Sequence, residues 1–414
     1  MYYVILDPGH DYPAYMVEFL AQHDCRGIAV FTAEDQYHTF HHLFEEELGD
    51  YFVDEYLASE FPEVQSLAEQ ILQDWGTLDG IIPWSEFTIE FGAELGEYLG
   101  IDWNPLEVIH RFRNKYYLKE FLRKNTTDLR INASRIVTTE EEAVAFQQEL
   151  NKWPIVVKPT EGGGSKNVFF VNTMEELIES CVQVFHGKQG EVLLEEYLGG
   201  IEYVVNGITN SDYDVLITDV WRYDKRDSHG YKNLYYETIK VNTNEAVFQP
   251  LATYAGKVIE TLELRKSPFH MELKFDEYGP CLVEVGARFA GGNQPLNTSK
   301  LHERSLFELA ACHYMANLPI SLEDLHYDRY DRLQARIING LQTYEIPCIK
   351  AIYGLEEVQQ LPSFFRIGFT RPLGSHLGVT KDIYGKSYEV YLMHEDPEQI
   401  ASDAEAVRQL IRYE

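Results

Sequence analysis

The first hundred residues alternate two hydrophobic periods. "YYVILD" is a short continuous apolar run of the kind a buried strand shows, "AYMVEFLAQH" repeats its apolar positions every three to four residues, and "GIAVFT" returns to the strand pattern. "VQSLAEQILQDW", "LDGIIPW" and "EFTIEFGAELGEYLG" repeat the alternation, which predicts a small open parallel sheet with helices packed on it. "IDWNP" reads as a boundary, after which "EVIHRFRNKYYLKEFLRKN" is helical and unusually basic. Residues from about 132 to 198 mix short strands with helices, and 202–275 are rich in strand formers. From 332 onward short β-like pieces ("QARIING", "FRIGFT", "YEVYLM") precede a closing helix in "PEQIASDAEAVRQLIRY". No internal repeat, low-complexity tract or Pro/Ser-rich linker interrupts this order.

Composition narrows the field. The 414 residues, 45% hydrophobic, suffice for two or three packed domains. Thirty-five basic against 67 acidic residues leave a net charge of -32, which argues against nucleic acid and anionic membrane surfaces as partners. Any phosphate site must then be a local exception. The N-terminal "MYYVILDPGH" lacks the look of a signal peptide and no segment approaches a membrane span, so a cytoplasmic location is expected. Cys25, Cys181, Cys281, Cys312 and Cys348 are scattered and odd in number, which suggests free thiols.

The stretch "WPIVVKPTEGGGSKNVFFV" sets a glycine run between two strand-like segments. A Walker loop needs its lysine before the serine and a helix after it; here Lys166 follows Ser165 and a strand follows the loop, so a hairpin tip is expected. Gly162, Gly163, Gly164 and Ser165 either make an ordinary turn or bring backbone N–H groups onto phosphate oxygens. Lys158, ending the apolar strand beside the loop, is placed to hold a phosphate as a point charge. Downstream, "EVLLEEYLGGIEYVV" supplies Glu195, Glu196, Tyr197 and Glu202, which suit either a purine and ribose site or a solvated strand end.

"FHMELKFDEYGPCLVEVGARFAGG" carries most information. Alternation groups His270, Glu272 and Lys274 on one face, and Leu282, Glu284, Gly286 and Arg288 on one face of the next strand. A turn centred on Tyr278 makes Glu272 and Glu284 direct cross-strand partners. Two like charges so placed need compensation, either from a divalent cation such as Mg²⁺ or from Lys274 or Arg288. Arg288 is also within reach of a phosphoryl group or an oxyanion.

Other features carry two readings each. Gly9 in "DPGH" is a weak dinucleotide signal, and His10 beside it is a substrate or structural histidine. His38, His41 and His42 have the spacing of helical metal ligands, though the acidic run after them suggests a solvated face. Residues 221–237, "WRYDKRDSHGYKNLYYE", line a pocket or form an exposed loop. His270, Gly291 and Gly292 are candidate substrate contacts.

Taken in order, "RFRNKYYLKEFL", "PIVVKPTEGGGSKNVFFV", "LLEEYLGGIEYVVNG", "FHMELKF" and "CLVEVGARFAGG" resemble the ATP-grasp superfamily, and within it carboxylate-amine ligases of the L-amino acid ligase (dipeptide-forming) type. The resemblance implies a multidomain α/β and α+β fold. A Rossmann-like pre-ATP-grasp domain covers 1–105, an ATP-grasp domain 106–330 with a lid at about 130–198, and a β-rich domain 331–414. It implies ATP, with Mg²⁺ as the metal and Mn²⁺ as an alternative. By position, Lys115 and Lys158 would contact phosphates, with Gly162 to Ser165 closing over them. Glu195, Glu196 and Tyr197 would lie at the adenine, Glu202 at the ribose, Glu272 and Glu284 at the metal, and Arg288 at the γ-phosphate and acyl phosphate. Many family members carry asparagine where this chain has Gly286, which puts the shell of a second metal ion in question. The implied activity is ADP-forming amide synthesis from a small carboxylate and an amine, the alternatives being another ATP-grasp chemistry (nucleotide biosynthesis or carboxylation) or a silent nucleotide-binding module. A homodimer fits the same resemblance.

Overall fold

The computed structural model describes residues 1–9, 13–83, 85–160, 167–185, 190–292, 294–311 and 325–414. The N-terminal apolar runs become β1 (Tyr2–Leu6), β2 (Arg26–Phe31), β3 (Phe52–Leu57) and β4 (Gly80–Ile82), a parallel sheet in the order β3-β2-β1-β4. β1 and β2 read as unbroken hydrophobic runs because helices cover both their faces, leaving Val4, Ile5, Ile28 and Val30 buried.

The basic segment that the sequence presents as one helix is two, Leu106–Arg113 and Lys115–Asn125. Asn114 breaks it: its backbone is extended, and its side-chain oxygen accepts from the N–H groups of Tyr116 and Tyr117. An Asn N-cap satisfies donors that would otherwise be orphaned at the start of the second helix. Lys115 thereby becomes a first-turn residue rather than one in mid-helix.

Next come β5 (Ser134–Val137), β6 (Ile155–Lys158), β7 (Phe169–Val171) and β8 (Val192–Glu196), an antiparallel sheet in the order β5-β8-β6-β7. β6 and β7 pair as the expected hairpin around the glycine stretch. Gly162, Gly163, Gly164, Ser165 and Lys166 lie outside the described residues, as do His10 and Cys312.

The largest sheet runs β13-β12-β9-β10-β11-β14-β17-β16 among the described residues. Its members are β9 (Ile201–Thr209), β10 (Val215–Ser228), β11 (Tyr231–Lys240), β12 (Ser267–Asp276), β13 (Gly279–Gly286), β14 (Gln334–Asn339), β16 (Phe364–Thr370) and β17 (Tyr388–His394), while β15 (Ile352–Tyr353) and β18 (Arg412–Tyr413) pair apart. The sheet is continuous through residue 330: β14 pairs with β11, as at Thr238 with Ile337. The helix Phe248–Leu262 covers one face with Leu251, Val258 and Ile259, and the same core reaches Ile109 and Leu118 of the two basic helices.

Cys25, Cys181, Cys281 and Cys348 are free thiols. Among the described residues, no helix is long and apolar enough to cross a membrane.

Candidate active site

The Glu272–Glu284 pairing holds, by a route the sequence did not show. The turn is the two residues Glu277 and Tyr278, entered from Asp276 and left at Gly279, whose φ of +92° suits glycine. It is therefore centred before Tyr278, and simple alternation would set Glu272 against the wrong residue. A bulge at Val283 restores the match: Leu273 pairs with Leu282, and Glu272 with Glu284. The bulge also overturns the grouping of Leu282 with Glu284. Leu282 is fully buried in the core opposite Leu273, while Val283 and Glu284 both face the site.

Burial and the facing Glu284 push the Glu272 carboxyl well above the usual range. Burial acts the same way on Glu284, but Lys115, Lys158 and Arg288 together outweigh it and hold that carboxyl low. The cation at the pair is Lys115, whose Nζ lies 3.3 Å from Glu284 Oε2. Of the two expected compensators, Lys274 is instead 3.0 Å from Glu202, and Arg288, whose Nε donates to Glu86 at 2.6 Å, acts on the pair only through its charge. Two partly exposed carboxylates facing each other at the cavity wall, one left without a matching cation strong enough to keep it ionised, are a donor set that fits a hard divalent ion.

These groups open onto a cavity of about 560 Å³. Lys115, Lys158, Glu195, Glu196, Tyr197, Glu202, Glu272 and Glu284 all line it, so eight residues from four stretches of chain meet at one place. The N–H of Lys115 donates to the carbonyl of Thr160 at 3.2 Å, tying the capped helix start to the chain just past Lys158.

Glu195 is buried beneath the cavity between two lysines, 2.7 Å from Lys119 and 2.9 Å from Lys158. Burial works against its charge, but the two lysines prevail and draw its pKa down to about 2. Lys119, fully enclosed, is brought down to about 8 mainly by burial, with Lys158 adding repulsion. At neutral pH the trio carries one net positive charge. Lys158 is the cation of the trio that lines the cavity, so that charge is offered to an anion.

Glu202 gives one oxygen to Lys225 at 2.5 Å and the other to Lys274. A carboxylate has about four acceptor sites, so two lysines leave room for a hydroxyl donor. Glu196 is paired with Lys152 at 2.8 Å, and Tyr197, 40% exposed, meets Phe170 edge-on.

His270, Arg288, Gly291 and Gly292 stand outside this lining. His270 is buried, with Nδ1 2.7 Å from Asn206 Oδ1 and Nε2 3.9 Å from Glu272. Burial, with Arg288 adding to it, lowers its pKa to about 3, so the ring is neutral. A Cβ added at Gly286 would lie 3.4 Å from Arg288 Cγ and 3.5 Å from Glu86 Oε2, so the Glu86–Arg288 pair occupies the space a side chain there would use. Gly292 has φ +68° and is open to solvent.

Part of the aromatic run is pocket lining. Trp221 is core, whereas Lys225, Tyr231 and Tyr235, from the β10–β11 hairpin, reach the cavity, joined by Lys381 from the C-terminal region. Glu86 and Lys119 were missed; each is ordinary in sequence, and only the partners that folding brings to it mark it out. His41 lies 3.2 Å from Glu55 and packs on Tyr37, with His38 and His42 exposed. Among the described residues, no three His, Cys, Asp or Glu side chains gather as a closed metal cage.

Comparison with known proteins fits this geometry. The family model described as an ATP-grasp domain matches residues 151–295. Dapdiamide A synthase of Enterobacter agglomerans is 28% identical over 234 residues, 53% of this chain and 52% of that protein. The L-arginine-specific L-amino acid ligase of Bacillus subtilis is 23% identical over 328 residues, 77% and 75% of the two chains. The chain thus spans about half the length of the first of these relatives. Among solved structures, an L-amino acid ligase from Bacillus licheniformis superposes with a TM-score of 0.75 at 16% identity, covering 100% of this chain and 98% of that one. A phosphoribosylglycinamide synthetase from Anaerococcus prevotii gives 0.70 at 14%, covering 100% and 99%. At these identities the structural likeness is one of fold.

Proposed function

We propose, for a chain that carries an ATP-grasp domain, that it is an ATP-dependent carboxylate-amine ligase making an amide bond and releasing ADP and phosphate. The observation that carries this reading is the facing Glu272–Glu284 pair set beside Lys115 and Lys158 in one cavity.

In this reading the substrate carboxylate attacks the γ-phosphorus of ATP, forming an acyl phosphate and ADP. The amine then attacks the acyl carbon, and phosphate leaves as the amide forms. Such transfer needs in-line positioning and charge neutralisation and no protein nucleophile. Lys158 holds a phosphate with the surplus charge of the Lys119–Glu195–Lys158 trio, and Lys115 contributes a second cation from the helix start. Glu195 acts mainly through the lysines it holds. Glu196 and Tyr197 lie along the adenine, Glu202 accepts from the ribose, and Gly162 to Ser165 close over the phosphates. Arg288 meets the transferring phosphoryl group and exchanges Glu86 for it; His270, Gly291 and Gly292 lie toward the substrates. Glu272 and Glu284 would hold Mg²⁺, or Mn²⁺ in its place. A divalent ion held there supplies neutralisation of phosphate charge. We place the enzyme in the cytoplasm, as a homodimer acting on small molecules.

The test is phosphate release from Mg-ATP over a grid of single and paired amino acids, with products weighed by mass spectrometry. ADP formation that needs a particular pair, with a product mass equal to their sum less water, supports the ligase. ATP binding without pair-dependent turnover across the grid overturns it.

A further inference from the structure

Six lysines line the cavity, and four of them are held by carboxylates. Lys115 is paired with Glu284, Lys158 with Glu195, and Lys225 and Lys274 share Glu202. The other two, Lys232 and Lys381, have no carboxylate partner among the described residues. Lys381 comes from the C-terminal region, where Asp382 and Ile383 line the cavity with it.

We propose that Lys381 is a nucleotide-binding residue, its ammonium donating to a hydroxyl oxygen of the ribose that Glu202 receives. The inference rests on the placement of ATP in this cavity with its ribose at Glu202, and it makes the C-terminal region part of the nucleotide site.

Strand register puts Lys381 on the ribose side. Val204 pairs with both Glu272 and Trp221, and two residues away Glu202 pairs with both Lys274 and Tyr223. The step from the carboxylate pair to Glu202 is therefore a step along β10 toward its hairpin. Beyond Tyr223, β10 has no β9 partner, and β11 meets β14 only from Glu237 onward, so residues 224–235 form a two-stranded arm that overhangs the sheet. Register shifts after Asp224 and after Arg226 bend that arm. Lys381 Nζ lies 5.6 Å from the ring centre of Tyr231, at the arm's tip. It stands past Glu202, on the side away from Glu272 and Glu284, where the phosphates are placed.

The loop that carries Lys381 is pinned in place. Antiparallel pairing aims the C-terminal end of β14 toward the same arm. Just past that end, the Gln342 N–H donates to Thr380 Oγ1 at 2.8 Å, and the Thr380 N–H donates to the Gln342 carbonyl at 2.9 Å. Asp382 turns its carboxylate into its own loop, accepting from the N–H groups of Tyr384 and Gly385 at 2.9 and 3.0 Å. The neighbouring acid is thus occupied, and Lys381 brings its charge to the cavity wall unshared.

Its chemistry complements that of Glu202. A carboxylate held by two lysines can only accept, so it takes hydrogens from the ribose and leaves the hydroxyl oxygens open to a donor. An ammonium has three donors and no acceptor. Tyr231 seats it by a cation–π contact, which leaves N–H groups for the ligand.

The experiment is calorimetric titration of the full chain, in Mg²⁺, with ADP, 2′,3′-dideoxy-ADP and inorganic tripolyphosphate. Lys381 is exposed, so Lys381→Ala is expected to fold as the wild type does. In that variant the Kd for ADP should rise roughly tenfold, while those for the dideoxy nucleotide and for tripolyphosphate stay within about twofold of the wild-type values. Lys381→Arg, which keeps the donor, should recover most of the ADP affinity. Lys350→Ala makes the same charge change on an exposed lysine of the same region and should leave all three affinities within about twofold. An ADP affinity untouched by Lys381→Ala overturns the proposal. So does an equal loss for the dideoxy nucleotide or for tripolyphosphate, because the cation would then serve the base, the phosphates or the overall field. A wild type that binds tripolyphosphate and no nucleotide instead sinks the placement of ATP in this cavity, and the inference with it.

Discussion

Glu195 shows how one side chain decides the character of a site. Buried carboxylates ordinarily resist ionisation, and this one is ionised because two lysines share it. Its pKa is lower in the folded chain, about 2, than the ordinary 4.5, so its contribution is fully present above the unfolded value and is lost as pH falls from about 4.5 through about 2. Glu195→Gln is expected to lose roughly 3 kcal/mol at neutral pH and to show a flatter acid limb in urea unfolding followed against pH. Glu272 has the opposite sign: its raised pKa means that stability declines as pH rises from the unfolded value through the folded one. Without divalent metal, Glu272→Gln should therefore melt higher than the wild type at pH 8 to 9, while its metal-dependent ADP formation falls by more than about a hundredfold. A melt that is unchanged or lower in that range would mean the pair is not strained. At this scale the sequence showed the acids and their facing, because strand alternation is local. Lys119 and Glu86 were invisible, since their partners Glu195 and Arg288 lie 76 and 202 residues away.

Elements turn those side chains into a site through two irregularities. The bulge at Val283 and the tight turn before it each shift the register, and the shifts cancel at Glu272 and Glu284 while leaving Leu282 in the core. Periodicity alone reaches the right pair for the wrong reason, because a bulge has no signature in an alternating apolar run. Deleting Val283 should remove the bulge and leave Leu282 opposite Leu273 and Glu284 opposite Glu272; nucleotide binding kept within a few-fold is the expected outcome, read by titration with a fluorescent ATP analogue, and its loss would show that the bulge itself shapes the site. The break at Asn114 is the second irregularity, and its Asn was a legible cap hidden inside a continuous helical pattern. Asn114→Ala should destabilise by about 1 kcal/mol and raise the ATP KM several-fold, since Lys115 starts the helix that Asn114 caps. A KM unchanged in a destabilised variant would show that the cap serves stability alone.

The whole molecule sets the approach to the cavity. A net charge of -32 surrounds the cavity proposed to take ATP, so on that reading the long-range field opposes what Lys115 and Lys158 attract at close range. ATP association should quicken as ionic strength rises from about 0.01 to about 0.15 M, where the screening length falls from about 30 to about 8 Å. Stopped-flow measurement of the association rate checks this, and a rate that falls with salt would mean that the local lysines dominate the encounter. Fold class was legible at this scale because alternating strand and helix patterns recur over long segments. The joining of strands was not: β11 and β14 pair across almost a hundred residues, and nothing local announces it.

That pairing has a consequence for synthesis. During translation the cavity-lining strand β11 is complete long before its neighbour β14 leaves the ribosome, and until then the edge that receives Ile337 is an open ladder. A fragment ending at residue 330 would keep that edge exposed for good and is expected to self-associate. Residues 331–414 therefore do for the growing chain what a chaperone would otherwise do, closing a sticky border that residues 1–330 cannot close for themselves.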